Sequence, residues 1–174
     1  TMIAQEMKVD LNQSKIQWTG EKVTGEHTGM VDLKDAKLKM QNNTIVEGKF
    51  IINMSSLTNT DITDTEYNQK LVGHLKSDDF FSVEKHPTAE LVIVESSAFV
   101  NNEATVKGNL TIKGITKPIE FKAIKNGNSL DALIIVDRTK YDIRYRSGSF
   151  FDGLGDKMIY NDFILKTNLV ISES

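Results

Sequence analysis

The 174-residue chain contains no cysteine and only two prolines, and it lacks any apolar run long enough to cross a membrane as a helix. Without cysteine there is no disulfide, no thiolate nucleophile and no cysteine-based zinc site, and the absence suits a reducing or an oxidising compartment equally. So few prolines argue against a linker-rich or disordered chain. A spanning helix needs roughly twenty consecutive apolar residues, so the chain is not expected to be an integral membrane protein. Neither sign of charge dominates: 21 Lys and Arg face 24 Asp and Glu, for a formal charge of −3. The basic residues are scattered, whereas binding to nucleic acid needs a basic stripe that displaces counterions from phosphates. No nucleic-acid partner is expected.

The usual marks of catalysis are also missing. No serine sits in a G-x-S-x-G elbow, and no cysteine can replace it. Gly153-Leu154-Gly155 begins like a phosphate-binding loop but continues Asp156-Lys157-Met158, where a third glycine and a helix would be required. It reads as a turn. The histidines, His27, His74 and His86, are not spaced as ligands on one helical turn or one strand face. No metal, no cofactor and no enzymatic activity are therefore expected.

What the chain has is alternation with period two, the mark of strands with one dry face. Val106, Leu110 and Ile112, with Gly108 among them, alternate with polar Thr105, Lys107, Asn109, Thr111 and Lys113. Ile119, Phe121 and Ala123 follow, which predicts a hairpin connected through Ile115-Thr116-Lys117-Pro118. Val46, Phe50, Ile52 and Met54 predict another half-buried strand, as do Phe163, Leu165, Leu169 and Ile171. Ile16 with Trp18, and His27 through Leu33 with Val31 among them, supply two earlier ones. Leu91–Val94 and Leu133–Val136 are apolar on both faces, so their outer sides are expected to meet a second layer or a partner, such as a homodimer face.

Thr63 followed by Glu66 forms a capping-box pattern, and Tyr67, Leu71, His74 and Leu75 recur at helical spacing, predicting one short helix that ends near Lys76. The expectation is an all-β domain, a roughly eight-stranded antiparallel barrel with this helix near its mouth. Asp78-Asp79-Phe80-Phe81 would return two aromatics to the same opening. The domain is expected over residues 8–174, with residues 1–7 as an N-terminal tail. Thr1-Met2-Ile3-Ala4-Gln5 reads as an expression remnant or as the end of a removed secretory signal.

Two segments resemble family hallmarks. Gly73-His74-Leu75-Lys76-Ser77-Asp78-Asp79-Phe80-Phe81 with His86-Pro87-Thr88-Ala89 is similar to the central motif of the YceI-like family, and Val106 through Pro118 resembles its second motif. His27-Thr28-Gly29 and Asp137-Arg138-Thr139 are also similar to family positions, so the likeness runs from about Val9 to the C-terminus. Trp18 stands where an aromatic is more often Phe, and the Arg144–Lys157 stretch is longer than in many members.

The resemblance implies a lipocalin-like barrel, periplasmic or secreted, that carries a polyisoprenoid, isoprenoid quinone or related lipid in its lumen. The residues expected to line it from the strands are Ile16, Trp18, Val31, Phe50, Ile52, Leu91, Ile93, Leu110, Ile112, Phe121, Ile134, Phe163 and Leu165. Leu71, Leu75, Phe80 and Phe81 would form a lid, and His27 and His74 are candidate head-group contacts. Such a lumen would accept ligands by shape and select weakly among lipids. The competing expectation is an enzyme acting on a lipid or quinone-like substrate in the same cavity, with His27 or His74 as acid–base group.

Overall fold

The computed structural model of the chain describes residues 3–173. Nine strands carry the fold: β1 (Gln5–Val9), β2 (Lys15–Lys22), β3 (Gly25–Gln41), β4 (Thr44–Asn53), β5 (Thr88–Ser96), β6 (Glu103–Ile112), β7 (Ile115–Asn126), β8 (Ser129–Asp137) and β9 (Ile159–Glu173). One helix, α1 (Thr65–Lys76), lies between β4 and β5. From β2 to β9 each strand pairs antiparallel with the next, and β9 returns to β2, closing an eight-stranded barrel. The ninth strand, β1, continues the stave of β2 beyond a turn, bridging Leu38–Met40 of β3 and Ile171–Glu173 of β9. Closure leaves few open strand edges, and this is how an all-β chain avoids edge-to-edge pairing. Residues 5–7, assigned from sequence to a tail, thus belong to the sheet, while Thr1 and Met2 lie outside the described residues.

Inward positions follow the alternation. Along β6, Ala104, Val106, Gly108, Leu110 and Ile112 are buried while Thr105, Lys107 and Asn109 are exposed. Three local expectations need correction. Val46 points outward, half exposed, because the β3–β4 ladder steps from Lys39↔Glu47 to Met40↔Ile45. Val46 is the extra residue of a bulge, and one extra residue turns the following side chains to the opposite face. The β6–β7 turn is Lys113-Gly114, with φ of 56° and 75°, a two-residue reversal whose backbone matches strand twist; Ile115–Pro118 is therefore strand. The helix cap is Asp64, not Thr63: its carboxylate accepts from the Tyr67 N–H at 3.0 Å, and a charged acceptor at a helix N-terminus is favoured by the helix dipole as well.

The barrel wall is uneven. β7 and β8 pair only near their hairpin, from Asn126↔Ser129 to Ala123↔Ala132, and then diverge. Pro118 stands opposite Asn109 in a pair that exchanges no hydrogen bonds, counting outward from the turn. The N–H it lacks would point toward β8, where no ladder partner waits, so proline is tolerated there. The chain after β8 covers this gap: a 3-10 turn at Arg138–Tyr141 packs against β7 and β9, with Tyr141 and Ile143 buried.

Leu133, Ile135 and Val94 are more than half exposed and meet no second layer among the described residues. Two strands separate β5 from β8 on the barrel.

Gly29 faces Trp18 across the β2–β3 ladder. A Cβ there would run into the Trp18 indole and the Thr58 carbonyl oxygen, which accepts from Trp18 Nε1 at 2.9 Å. Gly29→Ala is expected to lower stability by about 1–3 kcal/mol through overpacking. Leu38→Ala, at a fully buried position, is expected to cost about 2–5 kcal/mol through a cavity. Urea unfolding midpoints check both.

Candidate functional site: an apolar lumen with a charged mouth

Two adjoining cavities occupy the barrel. The larger, about 390 Å³, lies at the end where β2, β4, β6 and β8 finish and β3, β5, β7 and β9 begin. The smaller, about 80 Å³, lies toward β1. Ile16, Ile52, Leu110 and Leu165 line both, forming a waist. Protein interiors are normally packed to crystal-like density, and the larger volume falls in the range of ligand pockets, about 300–1,000 Å³.

Every residue named from sequence as lining the lumen is on one of these walls. Ile16, Trp18, Val31, Ile52, Leu110, Ile112, Phe163 and Leu165 line the larger cavity, together with Leu71, Leu75, Phe80 and Phe81. Phe50, Leu91, Ile93, Phe121 and Ile134 line the smaller one. Alternation had hidden other members. Leu57 lies beyond the end of β4, Tyr145 and Arg146 come from the long segment after β8, and Ile159 opens β9; none of these was part of an alternating set read from the sequence, whereas Met54, which was, lines the cavity from the turn just past β4. Arg138, also on the larger cavity, carried no signal beyond its place beside the Asp137-Arg138-Thr139 likeness.

α1 is held across the mouth by polar ties while its apolar side faces inward. The segment after β4 runs along the edge of β3, with Thr58 N–H and Thr60 N–H donating to Met30 O and Thr28 O at 2.9 and 3.0 Å. Asn59, 7% exposed, ties that segment to β3 and to the helix: its Nδ2 donates to Thr28 O, and Asn68 Nδ2 of α1 donates to Asn59 O at 3.0 Å. Lys76 Nζ donates to Ser55 O at the other end of the helix. Leu71 and Leu75 then face the cavity, and the Phe81 N–H donates to Leu75 O.

His27 and His74 both line the larger cavity, each paired with a carboxylate. His27 Nδ1 donates to Asp61 Oδ2 at 2.8 Å, and His74 Nε2 to Asp79 Oδ2 at 3.0 Å. The His74 ring also meets Phe80 and Tyr145 edge-on, at centroid distances of 5.0 and 4.6 Å. Burial works against ionisation of Asp61, but the bonds from His27, the Thr28 N–H and Asn59 outweigh it and hold the carboxyl below its ordinary value.

Arg138 is 4% exposed. Its Nε donates to Tyr160 O at 3.1 Å, Nη1 to Ile143 O at 2.9 Å and Nη2 to Ile159 O at 3.0 Å. It thereby staples the end of β8 to the start of β9 and to the loop between them. Burial pulls its pKa below the ordinary arginine value, an effect Asp137 partly offsets.

The family of the YceI-like domain matches residues 7–171. The chain belongs to the YceI-like family. Curated relatives are similar over shorter stretches: a UPF0312 protein of Pseudomonas aeruginosa is 42% identical over 65 residues, 37% of this chain and 33% of that protein. A UPF0312 protein of Shewanella denitrificans is 30% identical over 97 residues, 56% of this chain and 48% of its own length. The matched segment thus spans a third to a half of these relatives. Among solved structures, BcnA of Burkholderia cenocepacia superposes with a TM-score of 0.73 at 20% identity, covering 95% of this chain and 99% of that one. A polyisoprenoid binding domain from Saccharophagus degradans superposes with a TM-score of 0.66 at 12% identity, covering 99% and 100%. At these identities the YceI-like chain shares their fold.

Ionisation of Asp61 is favoured in the folded state, so its contribution to stability is present above the unfolded carboxylate pKa and is lost as pH falls through the lower folded value. In wild type the urea midpoint is expected to drop more steeply below about pH 4 than in Asp61→Asn. Parallel titrations of the two proteins from pH 7 to 3 check this.

Proposed function

We propose that this YceI-like protein binds a long apolar lipid of the isoprenoid type in its barrel lumen and carries or sequesters it, in the periplasm or outside the cell. The observation that carries the reading is the pair of cavities that share the walls Ile16, Ile52, Leu110 and Leu165, two apolar volumes divided by aliphatic side chains. A void with such walls holds water poorly, and a branched hydrocarbon restores the dispersion contacts that the walls lack. Each buried methylene is worth roughly 0.8 kcal/mol, so a few isoprene units drive binding, offset in part by ordering of the chain. The description of the Saccharophagus degradans neighbour as a polyisoprenoid binding domain supports the same ligand class. An aqueous compartment beside a membrane is where a carrier with an enclosed lumen has a task, since the ligand would otherwise stay in the bilayer.

A second reading keeps the cavity and makes it the site of an enzyme acting on a lipid or quinone-like substrate. The observation that favours it is the carboxylate-paired imidazole of His74 on the cavity wall, because a carboxylate fixes the orientation and tautomer of a catalytic histidine. Chemical change of a bound quinone or isoprenoid that disappears in His74→Ala would establish this reading. Recovery of the ligand unaltered after prolonged incubation argues for the carrier.

Trp18 is the only tryptophan and lies on the cavity wall, so its emission reports occupancy. Titration with isoprenoid alcohols of increasing length is expected to give saturable changes in emission and tighter binding for chains long enough to pass the waist. In Leu110→Phe the gain with length is expected to shrink by about tenfold, since a chain that stops at the waist forfeits the methylenes beyond it. No saturable response at any length contradicts the proposal.

A further inference from the structure

The larger cavity is apolar over most of its wall, yet the buried Arg138 is among the residues that line it. Three of the five N–H groups of an arginine are taken by the carbonyls of Tyr160, Ile143 and Ile159. Among the described residues no carboxylate forms an ion pair with Arg138; the adjacent Asp137 turns its Oδ1 to the N–H and hydroxyl of Thr139 instead. Taking a charge out of water without a counter-ion is costly, and carbonyl dipoles compensate it only in part.

A second guanidinium stands beside it. Arg146 lines the same cavity and likewise has no ion pair among the described residues. The two are linked through Ile159, whose N–H donates to Arg146 O and whose carbonyl accepts from Arg138 Nη2. They also flank one aromatic pair: Arg138 lies 5.9 Å from the Phe80 centroid, Arg146 lies 5.0 Å from the Tyr145 centroid, and the two rings are 5.4 Å apart. Arg146 holds φ at 51°, a backbone conformation unfavourable for a residue with a side chain. Arg146 is solvent-exposed, as are the other rim charges Lys22, Glu21 and Asp162, and the two histidines are engaged with Asp61 and Asp79; among the charged groups on this wall only Arg138 is buried.

We propose that Arg138, assisted by Arg146, is the recognition site for an oxyanion at the head of the lumen's ligand, so that the ligand is an apolar chain ending in phosphate or carboxylate. The inference rests on the reading of the lumen as a lipid site and goes beyond it by giving that lipid a charge. A planar guanidinium fork matches the paired oxygens of such a group, and the oxyanion becomes the direct ion-pair partner that no described side chain supplies, Asp137 offsetting the charge only from beside it. The histidines then border the head group, and Arg138 anchors it. A purely structural staple would leave head-group preference untouched.

The test titrates wild type, Arg138→Gln, Arg138→Lys and Arg146→Gln with geranylgeranyl phosphate, geranylgeranoic acid and geranylgeraniol, read by Trp18 emission. Wild type is expected to bind the better oxyanion about tenfold or more tightly than the alcohol. That ratio is expected to fall toward one in Arg138→Gln, to be partly kept in Arg138→Lys and to be reduced in Arg146→Gln. Whichever of phosphate and carboxylate binds more tightly identifies the head group. Equal binding of alcohol and oxyanions by wild type overturns the inference while leaving the lipid-binding reading intact, and so does a preference that survives in Arg138→Gln. Failure of all three probes to bind wild type overturns the lipid-binding reading itself. If Arg138→Gln does not fold, the wild-type ratio and Arg146→Gln decide: an unchanged ratio in Arg146→Gln removes its part, and no wild-type preference removes the whole.

Discussion

The ladder between β2 and β9, from Lys15↔Asn168 to Lys22↔Ile159, is the constraint on which the rest of this molecule depends. It joins strands more than a hundred residues apart in the chain, and by doing so turns a meander of hairpins into a closed wall. With closure, inward side chains from opposite staves face one another across a lumen. The same geometry that satisfies the backbone hydrogen bonds at the seam creates the cavity, because eight strands leave an interior about wide enough for side chains or one small ligand. Trp18 belongs to this seam: it pairs with Leu165 of β9 and Gly29 of β3, and its indole closes on Thr58 beneath α1.

Where the wall is imperfect, the chain supplies local covers. The segment after β4 serves the edge of β3 at Thr28 and Met30, and the turn after β8 fills the gap beside β7. These covers carry the polar groups of the site: Asn59 and Asp61 come from the first, and Arg138, Tyr145 and Arg146 from the second. The barrel thus contributes the apolar volume, and the connections add charge to the rim groups of the strands, Glu21, Lys22, His27 and Asp162. Members of one family can share such a lumen and differ in what they hold by changing the connections alone.

The division explains what could be read before the fold was known. Burial of every second residue leaves a period-two trace, so Val31, Leu110, Ile112 and Leu165 were legible as lumen residues. Val46 was misplaced because a bulge leaves no compositional mark, and Thr63 was preferred to Asp64 because a capping box depends on spacing whereas the real cap uses a neighbouring carboxylate. Arg138 was invisible as a buried group: a charged residue in a sequence reads as surface, and only the carbonyls of nearby Ile143 and of Ile159 and Tyr160, some twenty residues on, make its burial tolerable. The proposed ligand class rests on the resemblance of the family motifs, since periodicity cannot encode it.

The central claim is that this lumen is kept open for an apolar chain. Native mass spectrometry of the protein after mild purification, followed by organic extraction of the released adduct, tests it most directly. The account predicts a reproducible mass addition that extraction resolves into lipid with an isoprenoid hydrocarbon chain. Protein that is consistently recovered at its bare mass, with nothing extracted, would contradict it.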